Sequence, residues 1–281
     1  MLSYRHGFHA GNFADVLKHS LITLVINALK QKDKPFVYID THAGAGKYSL
    51  QSEFAQKTEE YRQGIGRIWS SQQQPDEIKD YLALVKAENV KQQLLRYPGS
   101  PQLARRLVRK QDRLQLSELH NADYEQLRQM FVGDQQVTVV KEDGLLNLNK
   151  KLPPIQRRGL VLIDPSYEVK SDYQKVVEAL CSAHRRFATG IYALWYPVLQ
   201  RDTTEGLMQR LVATGIPKQL RVEHCIDSDS VMHGMTGSGM LFINPPWQLA
   251  QQAEVLLPWL NQSLTHGRGN WKVEWQVPES V

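Results

Sequence analysis

Several apolar runs in this chain end in an acid or a glycine turn. The run Val161-Leu162-Ile163 stops at Asp164, which is followed by Pro165, Ser166 and Tyr167. Upstream, "PFVYID" ends at Asp40 and opens a turn containing Gly44 and Gly46. "RLQLSEL" carries Glu118, and "QVTVVKEDG" ends in Asp143 and Gly144. A carboxylate accepts hydrogen bonds from hydroxyl and amino groups and can take up a proton, while a glycine lets the backbone approach a ligand. Any one of these acids alone serves equally well as a helix cap or turn former. Four acids in succession, each after a good strand, point to one shared ligand site.

Such a site needs strands held side by side with their ends together. The segments 35–40, 113–119, 136–144, "GLVLIDP" and 189–198 read as strands, and "QLRVEHCI" and "SGMLFINPPW" add a closing pair. Between them lie segments of helical spacing: "ADYEQLRQMF", "DYQKVVEALCSAHRRF", "TTEGLMQRLVAT" and a terminal "LAQQAEVLLPWLNQSL". An earlier helix, "FADVLKHSLITLVINALKQ", starts at a capping Asn12, and Ser100 as cap with Pro101 in the first turn marks another helix start. Strand–helix alternation predicts an α/β fold, a doubly wound, mostly parallel sheet of seven strands. Ligands of such sheets bind outside the carboxyl ends of the strands, where the acids lie. The polar segment 51–98 is too long for a bare loop and reads as an inserted helical subdomain. The expected division is therefore 1–50 with 99–281 as the main domain and 51–98 as the insertion.

Composition narrows the class. The chain has 281 residues, 42% of them hydrophobic, and no run approaching the roughly 18 apolar residues that span a bilayer. Its polar, aromatic start lacks the apolar core of a secretory signal, and the two cysteines, Cys181 and Cys225, have no metal or disulfide spacing. A cytoplasmic protein without membrane association is expected, and a monomer. A net charge of +5 favours a polyanionic partner.

The glycine turn fits neither common phosphate motif. A P-loop needs G-x-x-x-x-G-K-[ST], but Thr41 stands at the first glycine position and Tyr48 follows Lys47. The dinucleotide fingerprint needs a third glycine where Ser49 stands, which weakens a dinucleotide oxidoreductase. What remains is D-x-x-x-G-x-G, a backbone close to its ligand without a grip on pyrophosphate.

Together, Asp40-x-x-x-Gly44-x-Gly46, Glu118, Asp143 and Asp164-Pro165-Ser166-Tyr167 resemble a class I, Rossmann-like S-adenosylmethionine-dependent methyltransferase. The tetrad is similar to the [DNS]-P-P-[YFW] motif of amino-nitrogen methyltransferases, with Ser166 in place of the second proline. With "YRHGFHAGNFADVLKH" near the start and "GSGMLFINPPW" near the end, the whole chain resembles the bacterial 23S ribosomal RNA adenine-N6 methyltransferases. The resemblance implies that Gly44 and Gly46 approach the methionine part of the cofactor. Glu118 would accept from the ribose, and Asp143 from the cofactor's adenine, with Gly144 leaving room. His42 and Ser100 would touch the cofactor's amino-acid end, Lys18 and His19 match the family's N-terminal cofactor-side segment, and no metal is implied. Asp164 and the Pro165 carbonyl region would accept the hydrogens of the target amine and localise its lone pair, while Tyr167 would stack on the flipped base.

For the RNA side, Arg105 and Arg109 fall on a basic helix face, and Tyr4 and His6 belong to an aromatic–basic tail able to close over a base. A solvated face and a disordered terminus are the ordinary alternatives. His6 and His9 lack further partners for a metal. "INPPW" matches the tetrad pattern more closely than "DPSY", but it ends the seventh strand, which runs antiparallel and away from the cofactor. An Asp at the tetrad's first position favours adenine over cytosine or glutamine. A DNA adenine-N6 methyltransferase and a non-catalytic RNA-binding assembly protein remain as alternatives.

Overall fold

The long first helix is buried throughout its first fourteen residues, although it carries Asp15, Lys18 and His19. In the computed structural model, which describes residues 5–90, 93–228 and 234–279, this helix is α1 (Phe13–Lys30). Asn12 caps it by accepting from the Asp15 N–H at 3.0 Å. Leu17, Leu21 and Ile22 lock it against the sheet, and truncating any of them to Ala would cost about 2–5 kcal/mol.

Strand β1 (Val37–Asp40) follows, then a glycine turn and the short β2 (Lys47–Ser49). The segment 51–98 holds α2 (Glu53–Thr58), α3 (Ile65–Ile68) and α4 (Asp76–Ala87), and returns through β3 (Arg96–Pro98), which pairs antiparallel with β2. Ile65, Ile78, Tyr81 and Val85 from these helices join the same apolar cluster as α1. The insertion is therefore continuous with the main core.

The remainder alternates: α5 (Ser100–Leu107), β4 (Arg113–Glu118), α6 (Asn121–Met130), β5 (Val137–Lys141), α7 (Gly144–Asn147), β6 (Gly159–Ile163), α8 (Asp172–Arg186), β7 (Ile191–Val198) and α9 (Arg201–Ala213). Then come β8 (Gln219–Cys225), β9 (Gly237–Ile243), α10 (Leu249–Thr265) and β10 (Asn270–Val277). Among the described residues the main sheet has eight strands, in the order β10-β8-β9-β7-β6-β1-β4-β5. The eighth, β10, extends the expected seven by pairing antiparallel with β8 at the edge. β1, β4, β5, β6 and β7 run parallel, and β9 runs antiparallel to β7 and β8.

The chain moves outward from β1 to β4 and β5, then returns to β6 on the other side of β1. That reversal opens a crevice at the carboxyl ends of β1 and β6. Asp40 ends β1 and Asp164 follows β6, so the two acids flank it. Among the described residues, no helix is long and apolar enough to cross a membrane.

Candidate active site

A cavity of about 800 Å³ lies at these strand ends. Its floor is the turn after β1. Gly44 takes φ +62°, and a Cβ there would meet the Tyr48 hydroxyl at 2.2 Å, so glycine is required. The Gly44 N–H donates to Glu118 Oε2 and the His120 N–H to Oε1, both at 2.7 Å. These bonds fix the Glu118 carboxylate at the end of β4, although burial pushes its pKa up. Asp143 caps α7, its Oδ1 accepting from the Leu145 and Leu146 N–H groups. Gly144 is glycine for a packing reason: a Cβ would lie 2.2 Å from the Thr41 carbonyl oxygen.

Asp40 does not reach the cavity. It is fully buried beneath the turn, where Tyr38 and Ser100 donate hydroxyl hydrogens to Oδ2 and the His42 N–H donates to Oδ1. Burial raises its pKa to about 6 against those hydrogen bonds. Its work is to brace the turn and the start of α5. Ser100 is the first residue of α5 and Gly99 the cap, which corrects the sequence expectation and frees the Ser100 hydroxyl for Asp40. Gly46 faces Leu127 and Met130 of α6 and contributes a tight turn, not a cavity wall.

At the other side of the crevice, Asp164 lines the cavity with Pro165 and Ser166. Lys18 Nζ donates to Asp164 Oδ2 at 2.6 Å and reaches Asp15 Oδ1 at 2.9 Å. It also lies 5.6 Å above the Trp195 ring, whose Nε1–H donates to Ser238. His19, buried behind it, stacks on Tyr97, and burial lowers its pKa to about 3, so it is neutral. Burial also lowers the pKa of His42, whose Nδ1 meets the Thr41 hydroxyl at 2.8 Å.

The structure thus gathers Lys18, His19, His42, Gly44, Ser100, Glu118, Asp143, Gly144, Asp164, Pro165 and His6 around one cavity. Tyr167 departs from expectation. It is 6% exposed, and its hydroxyl donates to the Trp195 carbonyl while its ring packs 4.6 Å from Tyr173. Its backbone turns left-handed at φ +53°, which directs the ring into the core instead of the crevice. Trp195 lines the cavity in its place. The sequence reading missed Trp195 and Asp15; the signal for Asp15 was its i,i+3 spacing from Lys18 inside an otherwise apolar helix.

Both arginines expected on the RNA stripe have partners within the fold. Arg105 is bonded to Asp134, and Arg109 to Asp112 and the carbonyls of Lys30, Lys32 and Lys34, at the end of the sheet opposite the cavity. Tyr4 lies outside the described residues. His6 does close on the site, its Nε2 2.9 Å from Asp15 Oδ2 and its ring 5.0 Å from Tyr48. The segment carrying it is clasped by the insertion: His9 meets Glu60 at 3.0 Å, Asn12 donates to Glu60, and the Ile65 N–H donates to the Gly11 carbonyl. A Cβ on Gly64 would lie 2.1 Å from that carbonyl oxygen, so this close approach requires glycine.

Comparison with known proteins is consistent with this geometry. The family described as Ribosomal RNA large subunit methyltransferase D, RlmJ matches residues 33–277. The chain belongs to this family. Two curated members, both named Ribosomal RNA large subunit methyltransferase J, come from Escherichia coli and Haemophilus influenzae. The Escherichia coli protein is 55% identical over 99% of this chain and all of its own length, and the Haemophilus influenzae protein 50% identical with the same coverage. A crystal structure of protein LPL1258 from Legionella pneumophila is 37% identical with a TM-score of 0.90, covering 95% of this chain and 98% of that one. Membership of this family makes the chain a methyltransferase.

Proposed function

We propose that this chain methylates the N6 amino group of an adenosine in large-subunit (23S) ribosomal RNA, using S-adenosylmethionine. The observation that carries the reading is the shared cavity: the Asp164 carboxylate opens onto the same space as Gly44, Glu118 and Asp143. The named activity of the curated relatives supports the RNA substrate.

The donors and acceptors present suit that cofactor. Glu118 keeps a second lone pair on each oxygen after its backbone bonds, enough to accept from ribose hydroxyls. Asp143 would accept from the adenine amino group, while Ser100 and His42, which line the same cavity as His19, would meet the amino-acid end. When bound, the cofactor supplies an electrophilic methyl whose carbon–sulfur bond pair stays with sulfur as the nitrogen lone pair forms the new bond.

The chain's own residues then have definable tasks. An adenine amine is a poor nucleophile because its lone pair is delocalised into the ring. Asp164 and the Pro165 carbonyl accept its two hydrogens and hold that lone pair toward the methyl, an effect of positioning and charge commonly worth several powers of ten. The proton shed by the methylated nitrogen passes to Asp164 and on to water. Trp195, at the cavity wall beside Lys18, takes the shelf role that the buried Tyr167 does not fill. The insertion shapes the RNA-facing side by holding the segment that carries His6.

Mass spectrometry of nucleosides from 23S RNA incubated with the protein and methyl-labelled cofactor tests the proposal. Labelled N6-methyladenosine supports it. Label in another base, or in DNA alone, overturns it.

A further inference from the structure

Asp15 has no counterpart among the strand-end acids, yet it is one of the most enclosed carboxylates in the chain, 1% exposed. It stands in the first turn of α1, where its Oδ2 accepts from the Gly11 N–H at 2.9 Å and meets His6 Nε2 at 2.9 Å. Its Oδ1 lies 2.9 Å from Lys18 Nζ, one turn further on. Burial opposes its ionisation, but the hydrogen bond from His6 and the charge of Lys18 outweigh that and hold its pKa well below the usual carboxylate range. Lys18 is itself only 3% exposed and reaches Asp164 Oδ2 at 2.6 Å. One ammonium is therefore shared between two carboxylates at the same cavity, Asp15 almost fully enclosed and Asp164 more open.

A lysine bound to Asp164 alone would cancel its charge and occupy its acceptor oxygen. The methylated nitrogen becomes positive before it sheds its proton, so a neutral Lys18–Asp164 pair would offer that charge little stabilisation. With Asp15 ionised, Asp15, Lys18 and Asp164 together carry one net negative charge, and Lys18 still fixes the Asp164 side chain in orientation.

We propose that Asp15 is a positioning residue for methyl transfer: it neutralises Lys18, so that Lys18 orients Asp164 without cancelling its charge toward the target amine. This rests on the functional reading above, in which Asp164 accepts from that amine. His6 binds the second oxygen of Asp15, so the segment before α1 completes the same network.

The test is a cycle of Asp15→Asn, Lys18→Met and the double variant, assayed with a 23S RNA transcript and S-adenosylmethionine. Asp15→Asn should lower kcat about 10- to 100-fold, while KM for RNA and calorimetric cofactor affinity stay within about three-fold. In the Lys18→Met background the same change should cost less than about three-fold, because the charge it balances is gone. Wild-type kcat in Asp15→Asn, or an equal loss in both backgrounds, overturns the proposal. Should Asp15→Asn fail to fold because Lys18 is left half-compensated in the interior, the double variant should fold and match Lys18→Met. A double variant that unfolds, or is much slower than Lys18→Met, also overturns it. An active Asp164→Ala, by contrast, would remove the functional reading itself.

Discussion

Asp164 and Asn244 stand at opposite ends of one sheet. Asp164 follows the parallel strand β6 and opens onto the cavity, whereas Asn244 follows the antiparallel β9 and donates to the carbonyls of Ala188 and Gly190, just before β7 begins. "INPPW" fits the tetrad pattern better than "DPSY", but strand direction puts it on the wrong side, and its Trp247 is 80% exposed. Asp164→Ala should lower methylation about 1,000-fold or more while calorimetric cofactor binding persists. Asn244→Ala should lose about 1–2 kcal/mol of stability, through two broken hydrogen bonds, and keep its kcat. Exchanged phenotypes would move the site to the other tetrad.

The two aromatics near the crevice separate in the same way. Trp195→Ala removes a cavity wall and should weaken RNA binding by about 1–3 kcal/mol, the worth of one stacked base, with cofactor affinity unchanged. Tyr167→Phe deletes the hydroxyl that donates to the Trp195 carbonyl, so its effect should appear as about 1 kcal/mol of thermal stability. An RNA-affinity loss confined to Tyr167 variants would restore that ring as the shelf.

Glu118 offers a test of the cofactor wall. Both its oxygens already accept backbone N–H groups, from Gly44 and His120. In Glu118→Gln the amide must turn an NH2 toward one of those donors, which loosens the glycine turn and removes an acceptor for ribose. Calorimetry should show S-adenosylmethionine binding weakened about 10- to 100-fold. Unchanged affinity would mean that the ribose lies elsewhere.

Much of this architecture is readable from the residues because buried parallel strands are apolar runs with abrupt ends. Val161, Leu162 and Ile163 allowed no other reading, and the helix cap at Asn12 followed from residue type. β10 was missed because its burial does not alternate: Trp271 and Trp275 are partly exposed at the sheet edge, so no face declared itself. Tyr167 failed for a different reason. The direction of its ring depends on a left-handed backbone at one position, and "DPSY" is silent about that. The intramolecular partners of Arg105 and Arg109 were not legible because helical spacing identifies a face but not the carboxylates and carbonyls folded against it.

Acid should weaken the fold partly through His19. Burial lowers its folded pKa to about 3, against an ordinary value of 6.5. On acidification the unfolded chain is protonated first, so this contribution is complete above pH 6.5 and falls away from there toward pH 3. At pH 5 about 2 kcal/mol is lost through this one group. His224, lowered by burial to about 4, acts in the same direction, while Asp40, raised to about 6, acts against both. His19→Gln should therefore shrink the difference in urea-unfolding free energy between pH 7 and pH 5 by about 2 kcal/mol. An unchanged difference would show that His19 charges without opening the core.

Arg109 decides whether the basic helix end serves RNA or the fold. Its guanidinium bonds both oxygens of the fully buried Asp112 and spans the carbonyls of Lys30, Lys32 and Lys34, tying the end of α1 to the start of β4. Asp112 in turn accepts from the Phe36 N–H, so the arginine also anchors the approach to β1. Arg109→Ala leaves a buried carboxylate without its cation and should cost about 3–5 kcal/mol, read as a lower urea midpoint. A residue committed in this way releases no counterion from RNA, so the salt dependence of RNA affinity should keep its wild-type slope. A flatter slope with unchanged stability would return Arg109 to the RNA interface.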